Sequence, residues 1–271
     1  GGEAGERLRG LASSASSLLS SDEAECSAVF DARGRMESVG GLPIMAEISV
    51  YRAPTDNDRG RGPVDYWGIS SDDLGPLGTG TGQWGVSHAQ RWEMARLHLL
   101  RRTWHGSACE DGTRVLVERW APPAAQFGLE ARWSFTPVDG NFGGASAGAP
   151  LPGHSLAVKV EMTPYGHWLE RIPRLGIRLR ISGTGWTASW VGETDIAYAD
   201  MPGANPDGFG CAELEDLWDV GVKPQEGGHR PGLKVLELRG EERALNIIPR
   251  SEMGWSASRW SERELAQAGH W

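Results

Sequence analysis

At 271 residues the chain is long enough to bury one large β core or two smaller domains. A formal net charge of −9 argues against a nucleic-acid partner, and no apolar run approaches the roughly 18 residues that a membrane span needs. Three widely spaced cysteines (Cys26, Cys109 and Cys211) fit neither a disulfide framework nor a CxxC metal knuckle.

The first 25 residues, with "GLASSASSLLSSDEAEC" overlapping their end, are low in complexity and read as a linker or frayed edge. From residue 26 onward "SAVFDARGRMESVGGLPIM" reads as strand, tight turn at Arg33-Gly34 and strand, with Gly40-Gly41 closing the unit. Met45 to Tyr51 is a further short strand. After a Gly/Pro-rich stretch, "HAQRWEMARLHLL" sets Trp92, Ala95 and Leu99 on one helical face, and the spacing predicts a short helix passing into a strand near Leu97. Strands are predicted at Arg114–Trp120, Leu129–Thr136, Trp186–Val191 and Leu233–Arg239. "LAVKVEM" points Leu156, Val158, Val160 and Met162 one way, with Lys159 and Glu161 opposite. "GIRLRI" repeats the pattern with Ile177, Leu179 and Ile181 inward and Arg178 and Arg180 outward. Ser261 and Glu264 form a capping box that opens a short helix. The sum is an all-β chain, a large antiparallel β-sandwich with one or two short helices. Its 13 Trp, against 4 Tyr and 5 Phe, suit a wide β core or, alternatively, a sugar-stacking surface.

Two patterns are decoys. "GTGQWG" (Gly80 to Gly85) follows a loop instead of a strand, so it does not bind a dinucleotide. "GASAG" (Gly144 to Gly148) sits in a Gly-rich stretch that supplies neither the strand nor the helix of a nucleophile elbow. The stretch that remains is "YRAPTDNDRG", Tyr51 to Gly60. It fails as a calcium loop, because Gly60 falls at a ligand position and Trp67 stands where the bidentate Glu belongs. No HxxxH or HExxH spacing marks a metal site. Asp56, Asn57 and Asp58 are suited to accepting backbone N–H bonds in a turn, with Arg52 as an ion-pair partner; a direct role in a site stands beside that reading.

This stretch resembles the RAP-x-DND-x-G signature of the large β-galactosidases of glycoside hydrolase family 2. Five further matches follow in family order: "FDARGRMESV", "QRWEMARLHLL", "PRLGIRLRI", "LWDVGVKPQEGGHR" and "SRWSERELAQAGH". The resemblance implies that residues 26–271 are the C-terminal, small-chain domain, a supersandwich of the galactose-mutarotase-like kind. It also implies that this domain is truncated at its C-terminal end, before the family's DSW motif. The catalytic glutamates of the retaining mechanism belong to a TIM barrel, as a domain or a separate subunit, so no catalytic residue and no metal ligand is assigned here. The relatives often use Mg2+ and Na+, bound mainly in that barrel, and no cofactor is expected in this chain. Gly60 matches a hinge glycine of a mobile loop beside the galactoside pocket, while Arg52, Pro54, Asp56, Asn57 and Asp58 form the signature turn. A cytoplasmic homo-oligomer acting on lactose-type galactosides is the implied parent; the alternative is a free-standing carbohydrate-binding sandwich. "GETDIAYAD" departs from the family's GRGP-x-E-x-Y-P-D, keeping only Gly192, Tyr198 and Asp200.

Overall fold

The structure is a computed structural model, and it describes residues 28–59, 87–110, 112–138, 155–168, 171–194, 207–218, 224–241 and 243–268. Gly60 and the patterns at 80–85 and 144–148 lie outside these residues, as do residues 1–25.

Among the described residues twelve antiparallel strands form three four-stranded sheets. The first has the order β1 (Val29–Phe30), β2 (Met36–Val39), β3 (Leu42–Ser49), β8 (Gly176–Ile181). The second is a meander of β4 (Arg101–Glu110), β5 (Thr113–Ala121), β6 (Gly128–Val138) and β7 (Ser155–Tyr165). The third runs β10 (Asp207–Glu213), β9 (Thr187–Glu193), β11 (Val235–Arg239), β12 (Ala244–Ile247). Two short helices, α2 (His88–Met94) and α3 (Glu262–Gln267), accompany a single helical turn, α1 (Asp56–Arg59).

Period-two patterning places the main core. Leu129, Ala131, Trp133 and Phe135 of β6 alternate inward and meet Met36, Leu42, Ile44 and Ile48 of the first sheet. A second cluster gathers Ala188, Trp190, Leu217, Leu233, Leu236 and Trp255 on the third sheet. A third, small cluster of Ala53, Trp218 and Leu265 lies under α1. Of the ten described tryptophans only Trp104 and Trp260 are exposed, so most indoles are core filling.

Three expectations need correction. Leu97 does not start a strand: α2 stops at Met94, Arg96 takes a left-handed φ of 58°, and a 3-10 turn over Leu97–Leu99 precedes β4. Val158 and Ile177 are exposed, at 43% and 38%, because β7 and β8 are edge strands among the described residues and cover is lost there. Arg178 is half-buried in an ion-pair network, where an outward, solvated side chain was expected. Strands β10 and β12 were not foreseen. β10 reads poorly because it is "DGFGCAE", yet Gly210 is required there: a Cβ would lie 2.1 Å from the Trp190 ring.

Candidate functional site

The signature stretch leaves β3 at Ser49, and each of its described side chains has a separate task. Thr55 caps α1: its carbonyl accepts from Arg59 N at 3.1 Å. Asp58 Oδ2 accepts from the Thr55 amide at 2.8 Å and the Thr55 hydroxyl at 2.7 Å, closing a capping box with Asp in the usual Glu position. Arg52 grips the same carboxylate twice, Nη1 to Oδ2 at 2.6 Å and Nη2 to Oδ1 at 2.9 Å. Its guanidinium also lies over the Trp92 ring at 5.1 Å, which ties α2 to the turn. Ala53 is wholly buried, in a small cluster with Trp218 and Leu265. Asp56 is exposed and contributes its backbone N–H, donated to Gln225 Oε1 at 2.9 Å.

Motifs far apart in sequence meet one another through ion pairs. Arg174 and Arg178, from "PRLGIRLRI", both reach Glu262 of α3, at 3.4 Å and 2.5 Å. Arg174 also pairs with Glu226 of "KPQEGGHR". The alternation of charge continues inward. Arg178 meets Glu47 at 3.9 Å, Glu47 meets Arg102 at 3.5 Å, and Arg102 meets Glu118 at 3.6 Å. Arg35, from "FDARGRMESV", ends the ladder on Glu118 at 3.0 Å. Eight alternating charges therefore link the β5 core face to α3 and the 224–230 loop. Burial is the stronger influence at the inner end: it pushes Glu118 up and Arg102 down, each partly offset by the other.

Beside the turn lies a groove of about 380 Å³, lined by Tyr51, Pro54, Arg59, Glu93, His98 and Arg263 among others. Burial, then Glu93, raises the Tyr51 phenol, and burial lowers the His98 imidazole. The groove thus offers a phenol held in its protonated form and an imidazole held in its neutral form beside the Glu93, Arg59 and Arg263 side chains, a set fitted to holding polar groups. The Tyr51 and His98 rings sit 5.7 Å apart, adding aromatic faces.

Of the residues singled out from sequence, the structure brings Arg52 and Asp58 together, sets Pro54 in the groove wall and turns the Asp56 side chain outward. The Asn57 side chain and Gly60 are outside the described set. Glu93, His98, Glu226, Glu262 and Arg263 were missed. One signal was available: Ser87 and Gln90 form a full capping box that fixes where α2 starts and so where Glu93 points. No three His, Cys, Asp or Glu side chains converge on a metal-sized site among the described residues, and no helix there is long and apolar enough to cross a membrane.

Fold and site together define an antiparallel sandwich domain whose motif segments hold one turn with its groove and a buried charge ladder. The family described as beta galactosidase small chain matches residues 22–271, and the chain belongs to that family. Over 263 residues it is 28% identical to a beta-galactosidase of Arthrobacter sp. (strain B7), a match that covers 90% of this chain and 23% of that protein. The chain therefore spans less than a quarter of the length of this relative.

Proposed function

We propose that this chain is the sandwich part of a β-galactosidase that removes terminal non-reducing β-D-galactose from lactose-type substrates with retention. The nucleophile and the acid/base are two glutamates of a TIM barrel, present in the same polypeptide or in a partner subunit. The role of this chain is to wall the galactoside pocket with the groove beside α1, and Gly60, immediately after α1, hinges the loop that follows. A glycine suits that position because it crosses backbone regions closed to other residues. The parent works as a cytoplasmic homo-oligomer.

The observation that carries this reading is the convergence of three distant motif segments, those holding Trp92, Gln225 and Arg263, on the signature turn and its groove. Among the described residues the tryptophans speak little for the free-standing sugar-binding reading, since eight of ten are buried or half-buried and the exposed Trp104 donates its indole N–H to Arg33 O at 2.8 Å. The test is hydrolysis of a chromogenic β-galactoside by the isolated chain, by a barrel-bearing polypeptide, and by the two mixed. Activity that requires the barrel supports the proposal; robust turnover by the isolated chain removes it.

A further inference from the structure

Where β9 ends and β10 begins two carboxylates stand directly opposite each other: Asp207 is the register partner of Glu193. Like charges facing across an antiparallel pair repel, and burial of either one raises the cost. Glu193 is buried, at 8% exposure, and its Oε2 is closed to solvent with no hydrogen-bond donor. Both side chains lean over the same backbone: a Cβ built on Gly232 would lie 3.6 Å from Glu193 Cγ and 3.5 Å from Asp207 Oδ1. Gly232 has φ +67, which turns the 231–234 segment over the pair and brings Pro231 O to the Glu193 amide at 3.4 Å. The corner thus holds two acidic side chains, one of them with a buried oxygen that no protein group satisfies, beside a backbone carbonyl that accepts from the Glu193 amide.

We infer that this corner binds a hard divalent cation through Glu193 and Asp207, with Ca2+ preferred over Mg2+. Oxygen-only ligands of mixed type suit a hard cation. Two carboxylates and a carbonyl on an irregular backbone suit the tolerant geometry of Ca2+ better than the strict octahedron of Mg2+. Bound, the ion removes the repulsion across the strand pair and gives Glu193 Oε2 its missing partner.

The experiment uses the full chain, stripped with chelator, and follows its melting temperature with CaCl2, MgCl2 or NaCl at matched ionic strength. Saturating Ca2+ is expected to raise Tm by about 3–8 °C beyond the NaCl control. Glu193→Gln and Asp207→Asn are each expected to abolish that shift; Asp207 is exposed, so its variant folds whatever Glu193→Gln does. Tb3+ is a second probe. Trp190 donates its indole N–H to Glu193 O at 3.1 Å, so Trp-sensitised Tb3+ emission should appear in the wild type and vanish in Asp207→Asn. A wild-type Tm that follows the NaCl control, or an equal Ca2+ shift in both variants, overturns the assignment.

Discussion

Asp58 and Asp56 lie two residues apart in one motif and do opposite things. Asp58 is buried and accepts four hydrogen bonds from Arg52 and Thr55, whereas Asp56 is exposed and works through its main chain. Breaking a buried ion pair by removing one partner typically costs about 3–5 kcal/mol. The Arg52 side chain keeps 23% of its exposure, so solvent screens part of that loss. Asp58→Ala is accordingly expected to cost about 2–3 kcal/mol in denaturant unfolding, and Asp56→Ala less than about 0.5 kcal/mol. Equal losses would contradict the division of roles. The sequence displays "DND" as three similar side chains. What separates them is the position of Arg52 after the chain has turned, a tertiary fact that composition does not carry.

The C-terminal helix is an element that the sequence announces clearly. Ser261 and Glu264 reciprocate as expected, with Glu264 N to Ser261 Oγ at 3.2 Å and Ser261 N to Glu264 Oε2 at 2.7 Å. The bonds donated by the Ser261 amide and, at 2.8 Å, by its hydroxyl hold the Glu264 carboxyl below its ordinary value of 4.5. A depressed carboxyl stabilises the folded state above the unfolded value, and the contribution fades as pH falls through the folded value. Backbone chemical shifts of Arg263–Leu265 should therefore report loosening of α3 on acidification below about pH 4.5; Glu264→Gln should remove that pH dependence, whereas Ser261→Ala, which keeps the backbone donor, should only weaken it. Strand β10 is the opposite case. Its two glycines weaken any strand signal, but one of them, Gly210, admits the Trp190 ring, itself capped by Arg230 at 5.0 Å and Trp255 at 5.2 Å. Gly210→Ala is expected to cost about 1–3 kcal/mol and to change Trp fluorescence, since the ring must move. β5 and β6 alternate plainly and were legible. The pairing of β3 with β8 was not, because it joins residues 42–49 to 176–181 across the whole intervening meander.

Over the whole molecule the buried polar groups set how the fold responds to pH. His88, His98 and His229 are each held below the ordinary imidazole value of 6.5, mainly by burial. The unfolded chain binds more protons than the folded one just below that value. Stability is therefore complete above about pH 6.5 and declines as pH falls toward the folded values. The denaturant midpoint is expected to drop between pH 7.5 and pH 5.5, with a shallower drop in His229→Gln; a midpoint flat or rising over that interval would contradict the burial of these rings. Glu118, 1% exposed between Arg35 and Arg102, anchors the charge ladder in the core, and Glu118→Ala is expected to cost about 3 kcal/mol. From sequence, each ladder member was one more surface charge on a strand or helix. Only the stacking of the first two sheets, with α3 laid beside them, turns eight dispersed charges into one connected path.

The central claim is that the signature turn serves a galactoside site whose chemistry lies in another part of the enzyme. Its most direct measurement is steady-state hydrolysis of a β-galactoside by a barrel-bearing polypeptide mixed either with the wild-type chain or with Asp58→Asn. The account predicts turnover that depends on the wild-type chain and is lowered, in kcat and KM together, by the variant. A barrel that is equally active without the chain, or a chain that hydrolyses galactosides alone, would contradict it.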